Sequence, residues 1–175
     1  MYLRNIPLWL AMIGGLTNLT AEAATTGTLN FAGQVNAGTC NLAAGDENRT
    51  ITLPPIKISD LDTTSSAGQL DFEIAADCES DIRNVIFLFA GSPSAGNGEL
   101  FANTGGSGGT ALWLAHRAPA LSIIPANGTP DQRSRTVATT GSKAVLPLAA
   151  AYHKTGAAIT QGTLASAVTV SITYN

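Results

Sequence analysis

Apolar and hydroxyl-bearing residues alternate along the last stretch of the chain. In residues 162–175, Val168, Val170, Ile172 and Tyr174 fall at every second position, with Thr169, Ser171 and Thr173 between them. Side chains on a strand alternate between its faces, so this spacing predicts a strand with one apolar face and one hydroxyl face. Its β-branched content favours strand over helix. Asn175 is the last residue, so the expected partner for the strand's far edge must come from elsewhere, and unpaired edges are normally covered or blunted. Residues 27–36 repeat the pattern. Gly27, Leu29, Phe31, Gly33 and Val35 share one face, and Thr28, Asn30, Ala32, Gln34 and Asn36 share the other. Gly33 interrupts the apolar face, which signals either a close approach to whatever lies beneath or a bulge.

Between these ends the pattern predicts several short strands. Residues 50–53 read as a strand ended by Pro54-Pro55, and 60–68 as a polar loop. Residues 70–74 alternate cleanly and run into Cys78, while the continuous apolar run 85–90 predicts a core strand. Residues 91–109 are rich in Gly, Ser and Asn and read as loops. Residues 111–115 and 121–124 flank Pro119 as a hairpin, Asn127-Gly128 is a turn, and 136–139 form a further strand. Residues 145–152 form an apolar strand with Pro147 near its start, where proline is tolerated. No helix is expected. Many short strands separated by turn signals indicate an all-β sandwich or barrel.

Composition narrows the picture. The 175 residues are 45% hydrophobic and only 12% charged, with 18 glycines, which suits one all-β domain with Thr and Ser on its wet faces and leaves too little charge for long amphipathic helices. The net charge of −3 argues against nucleic acid or an anionic membrane as the main partner. Arg133 and Arg135, the one tight basic pair, read as a solvated loop pair.

Residues 1–23 carry the marks of a secretory signal: Arg4, an apolar run over 6–19, and the small-x-small site Ala21-Glu22-Ala23. The run is too short for a membrane anchor, so no membrane span is expected in the mature chain. Export makes a disulfide the default for Cys40 and Cys78, the only cysteines, the alternatives being a metal site or a catalytic thiol.

Residues 105–109 match G-x-S-x-G, with Asp131 and His153 following Ser107 in hydrolase order. That motif needs a strand before the serine and a helix after it, and here the context is a glycine-rich loop. His116 and His153 lack further ligands or a paired carboxylate, so no metal, cofactor or enzymatic activity is expected.

Taken in order and with their spacing, several motifs resemble the pilin subunits of chaperone–usher (type 1 and P) fimbriae. They are Gly27-x-Leu29-x-Phe31-x-Gly33-x-Val35 followed by Cys40; Thr50-Ile51-Thr52-Leu53-x-x-Ile56; Phe72-x-Ile74-x-x-x-Cys78; Leu146-Pro147-Leu148 through Tyr152; Gly162, fourteenth from the end; and penultimate Tyr174. The resemblance implies an incomplete immunoglobulin-like β-sandwich lacking its final strand and completed in trans by donor-strand complementation. It implies a signal peptide over 1–23, a donor-strand extension over 24–36 and a pilin domain over 37–175. Leu29, Phe31, Gly33 and Val35 would be the donor residues. Gly162, Val168, Val170, Ile172, Tyr174 and Asn175 would form the strand offered to a periplasmic pilus chaperone and then to the neighbouring pilin at an outer-membrane usher. The chain would be exported through the periplasm to the cell surface as a structural subunit of an adhesive fimbria. Only Ala24, Thr25 and Thr26 precede Gly27 after the expected cleavage, which leaves major rod and minor or adaptor roles open. The alternatives are a self-contained, lectin-like secreted sandwich and a serine hydrolase at Ser107.

Overall fold

The structure, a computed structural model, describes residues 28–175; the expected signal segment and residues 24–27 lie outside the described residues. The chain divides into two compact units at Val35/Asn36. In the first, the described residues 28–35 have no regular secondary structure, and Leu29, Phe31 and Val35 are 81%, 92% and 99% exposed. The strand expected over 27–36 is therefore not formed there. A strand draws its backbone bonds from a neighbour, and an alternating pattern alone supplies none.

The second unit contains eight strands: β1 (Cys40–Leu42), β2 (Ser66–Cys78), β3 (Asn84–Gly91), β4 (Thr110–His116), β5 (Ser122–Ile123), β6 (Ser134–Ala138), β7 (Lys143–Lys154) and β8 (Val168–Tyr174). They form a five-stranded sheet, β1-β2-β7-β4-β5, and a three-stranded sheet, β6-β3-β8, with antiparallel pairing throughout. The core between them follows the period of two. Val85, Phe87 and Phe89 of β3 are buried while Ile86 and Leu88 are only half-buried; from β7, Ala144, Leu146, Leu148 and Ala150 point inward.

The strands expected over 70–74, 85–90, 111–115 and 145–152 are all present, and the hairpin around Pro119 is β4–β5. The expected strand near 136–139 is β6, set two residues earlier at its start.

Pro147 lies well inside a central strand, and the ladder geometry accommodates it. Its carbonyl faces β4 and accepts from Arg117 N at 3.0 Å, one residue past the last β4–β7 pair, His116↔Leu148. N–H and C=O of one strand residue point the same way, so the missing donor faces the end of β4, where the ladder stops.

Three expectations are corrected. Residues 50–53 form no strand, because the chain has left the five-stranded sheet by then. Residues 60–68 are not simply a loop: Ile58–Leu61 is a 3-10 turn and β2 begins at Ser66. Among the described residues there is one short α-helix, α1 (Pro130–Arg133), started by a capping box. Thr129 N donates to Gln132 Oε1 at 2.9 Å, and Gln132 N donates back to Thr129 Oγ1 at 3.4 Å.

Candidate functional site: an open apolar groove

β8 pairs with β3 along its whole length, from Gly91↔Val168 to Val85↔Tyr174. Among the described residues its other edge has no ladder partner. Val168, Val170 and Ile172 face the core but are only partly buried, as the alternation predicted. Tyr174 is 38% exposed. Asn175 folds back on the start of β3: its carbonyl accepts from Arg83 N at 2.9 Å and its N–H donates to Asn84 O at 3.1 Å.

The opposite rim arises where β1 stops after three residues. Ala43 N still donates to Ala75 O at 2.8 Å, and then side chains take over the edge of β2. The Asp46 carboxylate accepts from Ala75 N at 2.9 Å, and the Arg49 guanidinium donates to Glu73 O at 2.6 Å. The two residues also bond each other at 3.1 Å, with Arg49 6.0 Å from the centre of the Phe72 ring. These bonds satisfy β2 backbone groups that a longer β1 would have paired. Residues 50–53 are thereby released to run along the groove, with Ile51 and Leu53 half-buried and Thr50 and Thr52 exposed.

Between the rims lies a groove of about 800 Å³, floored by Phe72, Phe89, Leu112, Leu114, Leu148 and Ala150. These residues line the sandwich interior, so the core itself is open along one side. Its charged lining residues, Asp46, Glu47 and Arg49, lie in the turn that forms one rim.

The rim ahead of β8 is held by a clasp. Asn103 Nδ2 donates to Ser107 O at 2.8 Å, Thr110 Oγ1 at 3.2 Å and Thr163 O at 3.3 Å, while Oδ1 accepts from Gly105 N at 2.8 Å and Ala165 N at 2.9 Å. Backbone bonds Thr104 N to Ala165 O and Ser107 N to Thr163 O run beside it. Gly162 belongs here and not to the strand, which begins only at Val168; this corrects the expected strand start. With φ +155°, Gly162 lies so close to the Gly106 and Ser107 backbone that a Cβ there would collide with Gly106 C and Ser107 N.

Cys40 and Cys78 are disulfide-bonded and lie directly opposite in the β1–β2 register. Ser107 is a clasp residue: its hydroxyl donates to Thr160 O at 2.9 Å, and β4, not a helix, follows it. Nδ1 of His153 is engaged with Lys154 O at 2.7 Å. Arg133 and Arg135 are half-buried and are not a freely solvated loop pair. Arg133 donates to Gly128 O and Phe89 O, and Arg135 donates to Ile123 O at 2.6 Å and Ser122 Oγ at 3.0 Å, tying β6 to β5. Sequence reasoning missed Asn103 and the Asp46–Arg49 pair, since neither carries a local motif; the Thr129-Pro130-Asp131-Gln132 cap was the one local signal within reach.

In this all-β, immunoglobulin-like sandwich the core is open along one strand edge, a side left to be filled. Comparison with known proteins agrees. The model of the "Fimbrial protein" family matches residues 29–175. The fimbrial subunit ElfA of Escherichia coli K12 is 32% identical over 90 residues, which are 49% of this chain and 50% of ElfA, so the match spans about half the length of that relative. A subunit from the structure of a chaperone–usher pilus aligns over 87% of this chain and 98% of its own, at 20% identity and TM-score 0.62. The P pilus rod subunit PapA aligns over 78% and 99%, at 17% identity and the same TM-score of 0.62. The CupB6 tip adhesin of Pseudomonas aeruginosa aligns over 67% of this chain and 33% of its own, at 19% identity and TM-score 0.55. The chain belongs to the fimbrial protein family: it is a cell-surface fimbrial subunit, structural and not enzymatic.

Proposed function

We propose that this subunit polymerises by donor-strand exchange, its groove taking the segment around residues 25–35 of a neighbouring subunit. The observation that carries this reading is the open groove, with an unpaired β8 edge on one side and residues 50–53 on the other. An extended segment laid there adds a strand: its backbone bonds to the edge, and alternate side chains enter the floor. Leu29, Phe31 and Val35 carry the matching period and are almost fully exposed. Burying each contributes about 1.5–3 kcal/mol before backbone bonds are counted. Gly33, between Phe31 and Val35, lets the strand backbone approach the floor where no side chain intervenes. The contact is head-to-tail, so it propagates instead of closing.

Before assembly, a periplasmic chaperone supplies the missing strand, contacting Val168, Val170, Ile172, Tyr174 and Asn175, and an outer-membrane usher is where the neighbour displaces it. A rod or an adaptor position is compatible with this scheme. Phe31→Asp is expected to stop fibre growth while the chaperone complex still purifies; Val170→Asp is expected to abolish that complex. Normal fibres from the Phe31→Asp subunit on sheared-fibre electrophoresis would remove the donor assignment.

A further inference from the structure

Asn97-Gly98 and Asn127-Gly128 are the only Asn-Gly pairs in the chain, and neither belongs to the groove or its clasp. The fold brings them together: Asn127 N donates to Gly98 O at 3.1 Å and Ala126 N donates to Glu99 O at 2.9 Å. Their surroundings differ. Asn97 is half-buried, and its Oδ1 accepts from Glu99 N at 3.1 Å, a bond that holds the amide in place beside a carboxylate residue. Asn127 is exposed, and among the described residues no hydrogen bond holds its side chain. Gly128 N reaches Pro125 O only at 3.5 Å, too long for a good bond, so its N–H is nearly free. Gly128 O accepts from Arg133 Nε at 2.8 Å, which sets a guanidinium beside this peptide. Among the described residues neither Arg133 nor Arg135 forms an ion pair. Packing also keeps the second position a glycine, since a Cβ at Gly128 would meet Pro125 Cγ at 2.6 Å and Gln132 Cβ at 3.1 Å.

We propose that Asn127 is a self-modifying site, converted through a succinimide to aspartate and isoaspartate. The Gly128 amide gives its proton to hydroxide, and its nitrogen attacks Asn127 Cγ. A new N–C bond forms, the Cγ–Nδ2 bond breaks, and Nδ2 leaves as ammonia. Water then opens the ring. Cleavage at Cγ gives aspartate, and cleavage at the main-chain carbonyl gives isoaspartate. One water enters, one ammonia leaves, and nothing is oxidised or reduced. Glycine leaves the attacking nitrogen unshielded by a Cβ. The Arg133 charge favours the anionic nitrogen at Gly128, whereas Glu99 opposes the same charge at Gly98. Loss of ammonia makes the change one-way, so it accumulates as the surface subunit ages. The aspartate form gives Arg133 an acidic neighbour. The isoaspartate form routes the main chain through the former side chain and breaks the tie between residues 98–99 and 126–127.

Peptide mapping of the purified full chain, aged at neutral and at mildly alkaline pH, tests this. Trypsin separates the two sites into residues 84–117 and 118–133, and the amide-to-acid mass gain is followed in each. In the folded chain residue 127 is expected to convert at least about fivefold faster than residue 97, the effect of one close charge near a protein surface. Both rates should rise with pH. Arg133→Gln should slow residue 127 by a similar factor and leave residue 97 unchanged, and in urea the two sites should converge. If Arg133→Gln does not fold, the folded and urea-unfolded wild-type chains carry the comparison. Equal rates at the two sites in the folded chain, or an intact Asn127 after the unfolded chain has converted, overturn the proposal. An unchanged rate at residue 127 in folded Arg133→Gln overturns the part given to the guanidinium.

Discussion

At the scale of single residues, His116 shows how far an ordinary side chain can be shaped by its neighbours. Burial at the end of β4, and then the positive charge of Arg135, hold its pKa below the ordinary 6.5. The folded chain thus prefers the neutral imidazole. Between the lowered value and 6.5 the unfolded chain binds more protons, so this contribution to stability is complete above 6.5 and declines as pH falls below it. An NMR titration should place the His116 midpoint below 6.5, and His116→Gln should flatten the acid limb of the stability–pH curve. The two arginines teach a related lesson. Adjacent charges in a loop suggest solvent, yet Arg133 and Arg135 spend their donors on backbone carbonyls across strand boundaries. Such long-range bonds leave no mark in the local sequence.

At the scale of elements, most strands were legible because a half-buried strand writes its two faces into alternate positions. β2 and β8 carry that record, while β3 and β7 were legible instead as continuous apolar runs of strand length. Residues 27–36 and 50–53 carry it too, yet neither is a strand in the isolated subunit, since the pattern encodes a capacity to pair and not the partner. The groove's apolar wall was legible through Val168, Val170 and Ile172. Its far rim and its clasp were not, because they depend on Asp46, Arg49 and Asn103 meeting segments distant in sequence. The clasp yields its own prediction. Asn103→Ala strands the amides of Gly105 and Ala165 and frees residues 163–165, which should cost about 1–3 kcal/mol in urea denaturation. It should also raise amide exchange at residues 163–167 while β2 and β7 stay protected.

At the scale of the whole molecule, the sandwich leaves its core open along one side, and stability has to come from what remains. The Cys40–Cys78 bridge, closing a separation of 38 residues, is one such source. By chain entropy it contributes about 4 kcal/mol, so a Cys40→Ser/Cys78→Ser variant should unfold at distinctly lower denaturant, read by circular dichroism with donor peptide held constant. The same bond has a mechanical consequence. Under the proposed donor-strand exchange, tension in a filament would reach each subunit through the segment that leaves β1 at Cys40, and β1 is only three residues long. Such a strand alone would peel under load. The bridge carries the pull past it, directly into β2, a 13-residue strand locked to β7 in the middle of the larger sheet. Covalent links and the broad sheet would then share the force, and a donor strand lodged as proposed, drawn lengthwise along its groove, would have to shear its contacts together instead of unzipping them one at a time.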